Sequence, residues 1–188
     1  VTERTFTIAF EDHFAAAPDF DYNDLVAGII ITEYVDSANN IVRIKTRTRV
    51  LASGTDVSNS LGLRIDGKDY IIVNDAKSLM RDSWNTRLWE IFQQSRNNVT
   101  DIVFSAPVSR EKLGPAPYEP FMLVNSDTEK RVNISSSVNS SGLSGGVIVP
   151  ERWEWPYEGT DIRTAYPEFG LTAKWYNSPV LDHVYKSK

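Results

Sequence analysis

Between Phe10 and Val26 the chain reads FEDHFAAAPDFDYNDLV, and Glu11, Asp12, Asp19, Asp21, Asn23 and Asp24 all carry side-chain oxygens within it. Hard cations such as calcium take about six to eight oxygen ligands, and a loop rich in carboxylates and carbonyls supplies them readily. Asp19, Asp21 and Asn23 occupy the first, third and fifth positions of an EF-hand loop, but Asp24 stands where the sixth-position glycine belongs and Ile30 where the closing glutamate belongs. The segment is therefore not an EF-hand. A different geometry would bring Asp12, at the end of one strand, together with Asp19, Asp21 and Asp24, near the start of the next, with Glu11, Asn23 and backbone carbonyls in reserve. Glu11 and Asp12 point to opposite faces if the strand persists, so only one of them would face the ion. The competing reading takes the same residues as turn formers and caps, solvated or bonded to backbone amides. Against it stands the mutual repulsion of so many like charges in one short loop.

Other residues offer chemistry at weaker spacing. GLSGG (142–146) satisfies the G-x-S-x-G pattern, and Asp161 and His183 follow Ser144 in hydrolase order. A nucleophile elbow joins a strand to a helix, however, whereas Ser144 precedes the strand-like VIVP, so catalysis at Ser144 is not expected. With His13 and His183 the only histidines and no cysteine, a multi-histidine or thiolate metal site is excluded. Glu151, Glu154, Glu158 and Asp161 could supply a glycosidase carboxylate pair, with Trp153, Trp155 and Tyr157 as a sugar-stacking ligand platform. The plainer reading packs alternate aromatics of WEWPY into the fold. Arg43, Lys45, Arg47 and Arg49 form a basic stripe that could grip an acidic glycan or be a solvated strand face paired with neighbouring acids.

These side chains must be held by a fold that 188 residues suffice to build, as one domain spanning 1–188 with a sizeable core. Lysine plus arginine number 20 against 25 acids, a net charge of −5, which offers no electrostatic footprint for nucleic acid. The longest apolar run, Leu25 to Ile31, is far short of the ~20 residues of a membrane helix, so no membrane span is expected. The chain opens on a strand pattern without a signal-peptide core, which leaves either a protein that is not exported or one whose processed residues are missing.

TFTIAF alternates, with Phe6, Ile8 and Phe10 on one face, and LVAGIIITEYV reads as a strand buried on both faces at its start. DSANN (36–40) is a turn, and IVRIKTRTRV places Val42, Ile44, Thr46, Thr48 and Val50 opposite the basic stripe. LGLRI and DYIIV flank the tight-turn signal Asp66-Gly67-Lys68. WNTRLWEIF, TDIVFSAPV, PFMLVN, KRVNI and GGVIVP add short strands, and the serine-rich stretch 135–146 reads as a flexible loop. One short helix is expected between Glu158 and Phe169, with Thr160 as N-cap and Pro167 as terminator. The spacing predicts a mostly β protein, an antiparallel β-sandwich or jelly roll with long loops and one short helix near the C-terminus.

Two segments resemble the LruC-type domain of bacterial, chiefly Bacteroidetes, surface proteins. Phe10, Glu11 and Asp12 match its opening triplet, and Asp19, Asp21, Asn23, Asp24, Leu25 and Val26 its second block, with Phe20 and Tyr22 exchanged in identity. Near the other end Val147 to Pro150, Pro156, Glu158, Ile162, Ala165, Tyr166, Pro167 and Phe169 match its closing pattern, and Trp175-Tyr176 its terminal pair. Between them the resemblance is weak, and the segment 125–146 is shorter and more serine-rich than the family pattern. The resemblance implies an exported β-sandwich-like domain of a lipoprotein or larger surface protein of a Gram-negative bacterium, without assigned enzymatic activity. Acidic signatures in similar surface modules are associated with calcium, whose role here would be structural. Asp36-Ser37-Ala38 is similar to the O-glycosylation signal of exported Bacteroidetes proteins.

The expectation is thus a non-catalytic binding or adhesion module with a structural calcium at the acidic loop and a surface glycan or protein as partner. Two alternatives remain: a glycan-binding or glycan-hydrolysing domain using residues 151–161, and a structural subunit of a surface polymer that completes a neighbour's sheet with a donated strand.

Overall fold

The computed structural model describes residues 1–12, 18–80, 98–134, 141–150 and 152–186. His13, Glu151, the strand candidate at 84–92 and the serine-rich residues 135–140 lie outside the described residues. Two antiparallel sheets face each other. The first is built on the meander β1 (Thr2–Phe10), β2 (Leu25–Val35) and β3 (Ile41–Ala52), extended by β6 (Asn98–Val108) beside β3 and by β9 (Gly146–Pro150) beside β1. The second runs in the order β5 (Lys68–Val73), β4 (Ser60–Ile65), β7 (Glu119–Leu123), β8 (Arg131–Asn133). This is the expected β-sandwich.

The alternation of β1 sends Phe6, Ile8 and Phe10 toward the inter-sheet core and Ala9 to the opposite face. The continuous apolar run of β2 has the same cause on a larger scale. Leu25, Ala27, Ile29 and Ile31 enter the core between the sheets, while Val26 enters a second core on the outer face of the first sheet. That second core is closed by the residues after β9, which carry Trp153, Trp155, Tyr166 and Val184 over the sheet. The molecule therefore has three layers: a sheet, a sheet buried on both faces near the start of β2, and an aromatic cap.

The strict alternation expected of β3 is interrupted by two register shifts. Tyr34 faces Arg43 but Val35 faces Ile41, and Ala27 faces Val50 but Val26 faces Ala52, leaving Val42 and Leu51 as extra residues. The first shift makes Ile41, not Val42, the fully buried residue, and the second lets Val50 face the inter-sheet core while Leu51 reaches the outer one. Along the basic stripe Arg43 ion-pairs with Asp101 of β6 and Arg47 with Glu3 of β1 at 3.4 Å, while Arg49 is buried. Two of the stripe's four cations thus pair with acids on neighbouring strands, as on a paired strand face.

Turn chemistry follows the sequence closely. Asp66 (φ 49°) and Gly67 (φ 73°) both occupy the left-handed region that a two-residue hairpin turn between right-twisted strands requires. Asp36 Oδ1 accepts from the amides of Ala38 and Asn40, both at 2.9 Å. The expected C-terminal helix is α3 (Ile162–Ala165), but its N-cap is Asp161, whose carboxylate accepts from the Arg163 amide at 2.8 Å, and not Thr160. Two further single turns, α1 (Ala76–Leu79) and α2 (Arg110–Leu113), were not anticipated, because four residues are too few to show a helical stripe. Among the described residues no helix is long and apolar enough to cross a membrane.

The edges bear on strand exchange. β8 has three residues, β9 ends in Pro150, and β6 bulges between Val103 and Val108 around Pro107, features that blunt an edge against pairing. The chain's first strand is already spoken for at its start, where Thr2–Thr5 pairs with Ile30–Glu33 of its own sheet.

Candidate metal centre at the acidic loop

β1 ends at Phe10 and β2 begins at Leu25, so the acidic loop joins neighbouring strands at one end of the sandwich. Its second half has an unusual backbone: Phe20 (φ 60°) and Tyr22 (φ 53°) are both left-handed, at roughly 1–2 kcal/mol each for a residue with a Cβ. The alternation separates two sets of side chains. Tyr22 and Phe20 join the outer aromatic core, where Tyr22 is fully buried, 6.0 Å from the Phe169 ring, and donates its hydroxyl to the Ser144 carbonyl at 2.6 Å. Asp19 and Asp21 turn instead toward Glu11.

Carboxylate oxygens of Glu11, Asp19 and Asp21 lie within 4.8 Å of one another. Asp19 is exposed, whereas Glu11 and Asp21 each retain only 1% of their accessible surface. Among the described residues none of the three forms an ion pair with Lys or Arg. Their compensation is partial: Glu11 Oε2 accepts from the Tyr22 amide at 3.2 Å, and Asp21 accepts from the Asn23 amide at 3.0 Å, Asn23 Nδ2 at 2.6 Å and the Gly159 amide at 2.9 Å. Burial, reinforced by the charges of Asp24, Asp21 and Asp19, pushes the Glu11 carboxyl up to about 9. Burial likewise raises Asp21 to about 8 against the pull of the Gly159 and Asn23 amides. Burial lifts Asp24 to about 6, with the Asp12 amide opposing and the charges of Asp12, Asp19 and Glu158 adding to the rise.

The predicted donors are thus divided. Glu11, held in reserve from sequence, is central; Asp19 and Asp21 stand with it. Asp12 and Asp24 sit together beside the cluster, the Asp12 amide donating to Asp24 Oδ2 at 2.5 Å. Both line a cleft of about 620 Å³ with Gly54, Asp56, Lys130 and Glu158. Asn23 braces the cluster through its amide group, and its side-chain oxygen occupies the space above Gly54, where a Cβ would come within 1.8 Å of it. Only one member of the Glu11–Asp12 pair enters the three-carboxylate cluster, in line with strand alternation.

Glu158 and Gly159 are the participants that sequence reasoning did not place here. Asn23 Nδ2 donates to Glu158 Oε2 at 3.1 Å, and the Ile162 amide donates to the Phe20 carbonyl at 2.8 Å. The two motif-bearing ends of the chain therefore meet in space.

The remaining candidates are dispersed. The Ser144 hydroxyl donates to the Gly146 carbonyl at 2.9 Å just before β9, Asp161 ion-pairs with Arg163, and the His183 carbonyl accepts from the Tyr157 amide at 3.0 Å. Trp153 and Trp155 are 2% and 5% exposed within the outer core, so of the three aromatics considered as a ligand platform only Tyr157, at 39%, opens to solvent. They pack outside the first sheet, not between the sheets. The Glu154 carbonyl accepts from the Tyr166 hydroxyl at 2.5 Å.

Fold and site together define a β-sandwich with an aromatic outer layer tied to a loop that brings three carboxylates together. Residues 135–179 match a family described as a domain of unknown function (DUF4842). The whole chain resembles a crystal structure described as that of a putative lipoprotein from Bacteroides ovatus, with a TM-score of 0.53 and 14% identity over 99% of this chain and 76% of that one. That likeness is one of fold. No curated protein matches the sequence.

Proposed function

We propose that this chain is a non-catalytic binding or adhesion module of a bacterial cell envelope, with a structural calcium ion held by Glu11, Asp19 and Asp21. The observation that carries the metal reading is the convergence of three carboxylates, two of them buried, none of which forms an ion pair with Lys or Arg among the described residues. Such a cluster must either hold protons or take up a cation, and its all-oxygen donor set suits calcium or magnesium better than zinc. Asp24, Asp12 and Glu158, close by, add negative potential. An ion there would tie the end of β1 to the start of β2 and, through Asp21 and Asn23, to the outer aromatic layer.

The envelope location is supported by the description of the Bacteroides ovatus protein and by the LruC-type motifs at both ends of the chain. The second motif lies within the residues that match the domain of unknown function. A surface glycan or protein is the expected partner.

Thermal unfolding tests the ion. Calcium at about 100 times its dissociation constant stabilises by about 2.7 kcal/mol, which in a chain of this size raises the midpoint by about 5–10 °C over the chelated protein. Magnesium, which demands tighter octahedral geometry, should raise it less. A midpoint indifferent to calcium would remove the structural ion from the account.

A further inference from the structure

We infer that the C-terminal cap, residues 152–186, is a strap that opens from the sandwich as a unit and is clasped shut by the acidic loop. The inference does not depend on whether the loop binds an ion.

The cap is built to separate. Among the described residues β9 is the last strand of either sheet, and the cap's one β-bridge, Pro156 with Val184, lies within the cap itself. The Tyr157 amide donates to the His183 carbonyl at 3.0 Å, the Tyr185 amide to Trp155 at 3.1 Å and the Val180 amide to Ala165 at 2.8 Å, so the cap is cross-linked to itself. Lifting it breaks no sheet ladder. Its apolar residues pack on the outer face of the first sheet, and a set of polar bonds ties it to the acidic loop. Those bonds run from Gly159 to Asp21, from Asn23 to Glu158 and from Ile162 to Phe20. They form the clasp.

A second observation marks the closed cap as less than optimal. Among the described residues Trp155 Nε1 and His183 Nδ1 are buried without a hydrogen-bond partner, and a buried unpaired polar atom is costly in the closed state and relieved on opening. Segments that share no sheet ladder with the rest of a fold open below the cost of global unfolding. Leu171 and Leu181 of the cap are exposed.

Native-state hydrogen exchange, read by residue in chelator, tests the strap in the unmodified protein. The amides of Gly159, Ile162, Val180 and Tyr185 should exchange together through an opening that leaves those of Ile29 and Ile31 in β2 protected. Glu158→Ala, at an exposed position, should then speed exchange of the cap amides by about fivefold, the equivalent of one hydrogen bond, and leave the β2 amides unchanged. Exchange of cap and β2 amides at one common free energy would overturn the inference. So would a Glu158→Ala effect spread evenly over both.

Discussion

Held in chelator, the protein is expected to lose stability as pH rises from about 4 to about 9. In the unfolded chain Glu11 and Asp21 ionise near 4.5 and 3.8, while burial holds them at about 9 and about 8 in the fold. Between those limits the native state binds more protons than the unfolded state, so stability falls with pH, at about 1.4 kcal/mol per pH unit for each such group. Their stabilising contribution is fully present below the unfolded values and is lost as pH rises through the folded ones. The sign is opposite to that of salt-bridged carboxylates, which lose stability in acid. Calcium removes the dependence above about pH 5, because the ion holds these carboxylates deprotonated in the fold, as they already are in the unfolded chain. Unfolding curves with and without calcium should therefore converge near pH 5 and separate progressively toward pH 8. Parallel curves across that range would mean that the buried acids are not where the ion acts.

Replacing Tyr22 with alanine should be the most damaging single change near the site. Its ring is fully buried in the outer core against Phe169, its hydroxyl is spent on the Ser144 carbonyl, and its left-handed backbone positions Asp21 on one side and Asn23 on the other. Loss of a buried aromatic costs about 3–5 kcal/mol, and the left-handed penalty persists because alanine keeps a Cβ. Tyr22→Phe keeps the packing and removes only the hydrogen bond, at about 1 kcal/mol. Chemical denaturation of the two variants should show that gap. Equal effects would show that the hydroxyl, not the ring, anchors the loop to the segment just before β9.

The sandwich was legible because its signals are local. Phe6, Ile8 and Phe10 announce a strand with one buried face, the uninterrupted run from Leu25 to Ile31 announces one with two, and Asp66-Gly67 announces a hairpin. What stayed hidden was mostly long-range. Nothing in WEWPY tells whether Trp153 and Trp155 stack on a ligand or on the back of a sheet, since either requires alternate aromatics. The bulges at Val42 and Leu51 are set by partner strands, and a strand read alone continues its alternation. Asp161 took the capping role expected of Thr160, both being good N-caps one residue apart.

The site was half visible for the same reason. The density of acids between Glu11 and Asp24 marked the loop, but the choice between Glu11 and Asp12 depended on which face the chain keeps after β1. Glu158 and Gly159, more than 130 residues away, could be joined to Asp21 and Asn23 only through the fold. One hint existed in the sequence: the two motif-bearing segments lie near opposite ends of the chain, and in the structure they touch.

The central claim is most directly tested by counting calcium. Equilibrium dialysis of the purified chain against labelled calcium, at concentrations up to about 1 mM, the range typical of extracellular modules, should give one ion per chain at pH 8. Asp21→Asn, which keeps the size and removes the buried charge, should lose that ion while retaining the β spectrum of the wild type. No bound calcium in the wild-type chain at that concentration, or undiminished binding in Asp21→Asn, would contradict the account.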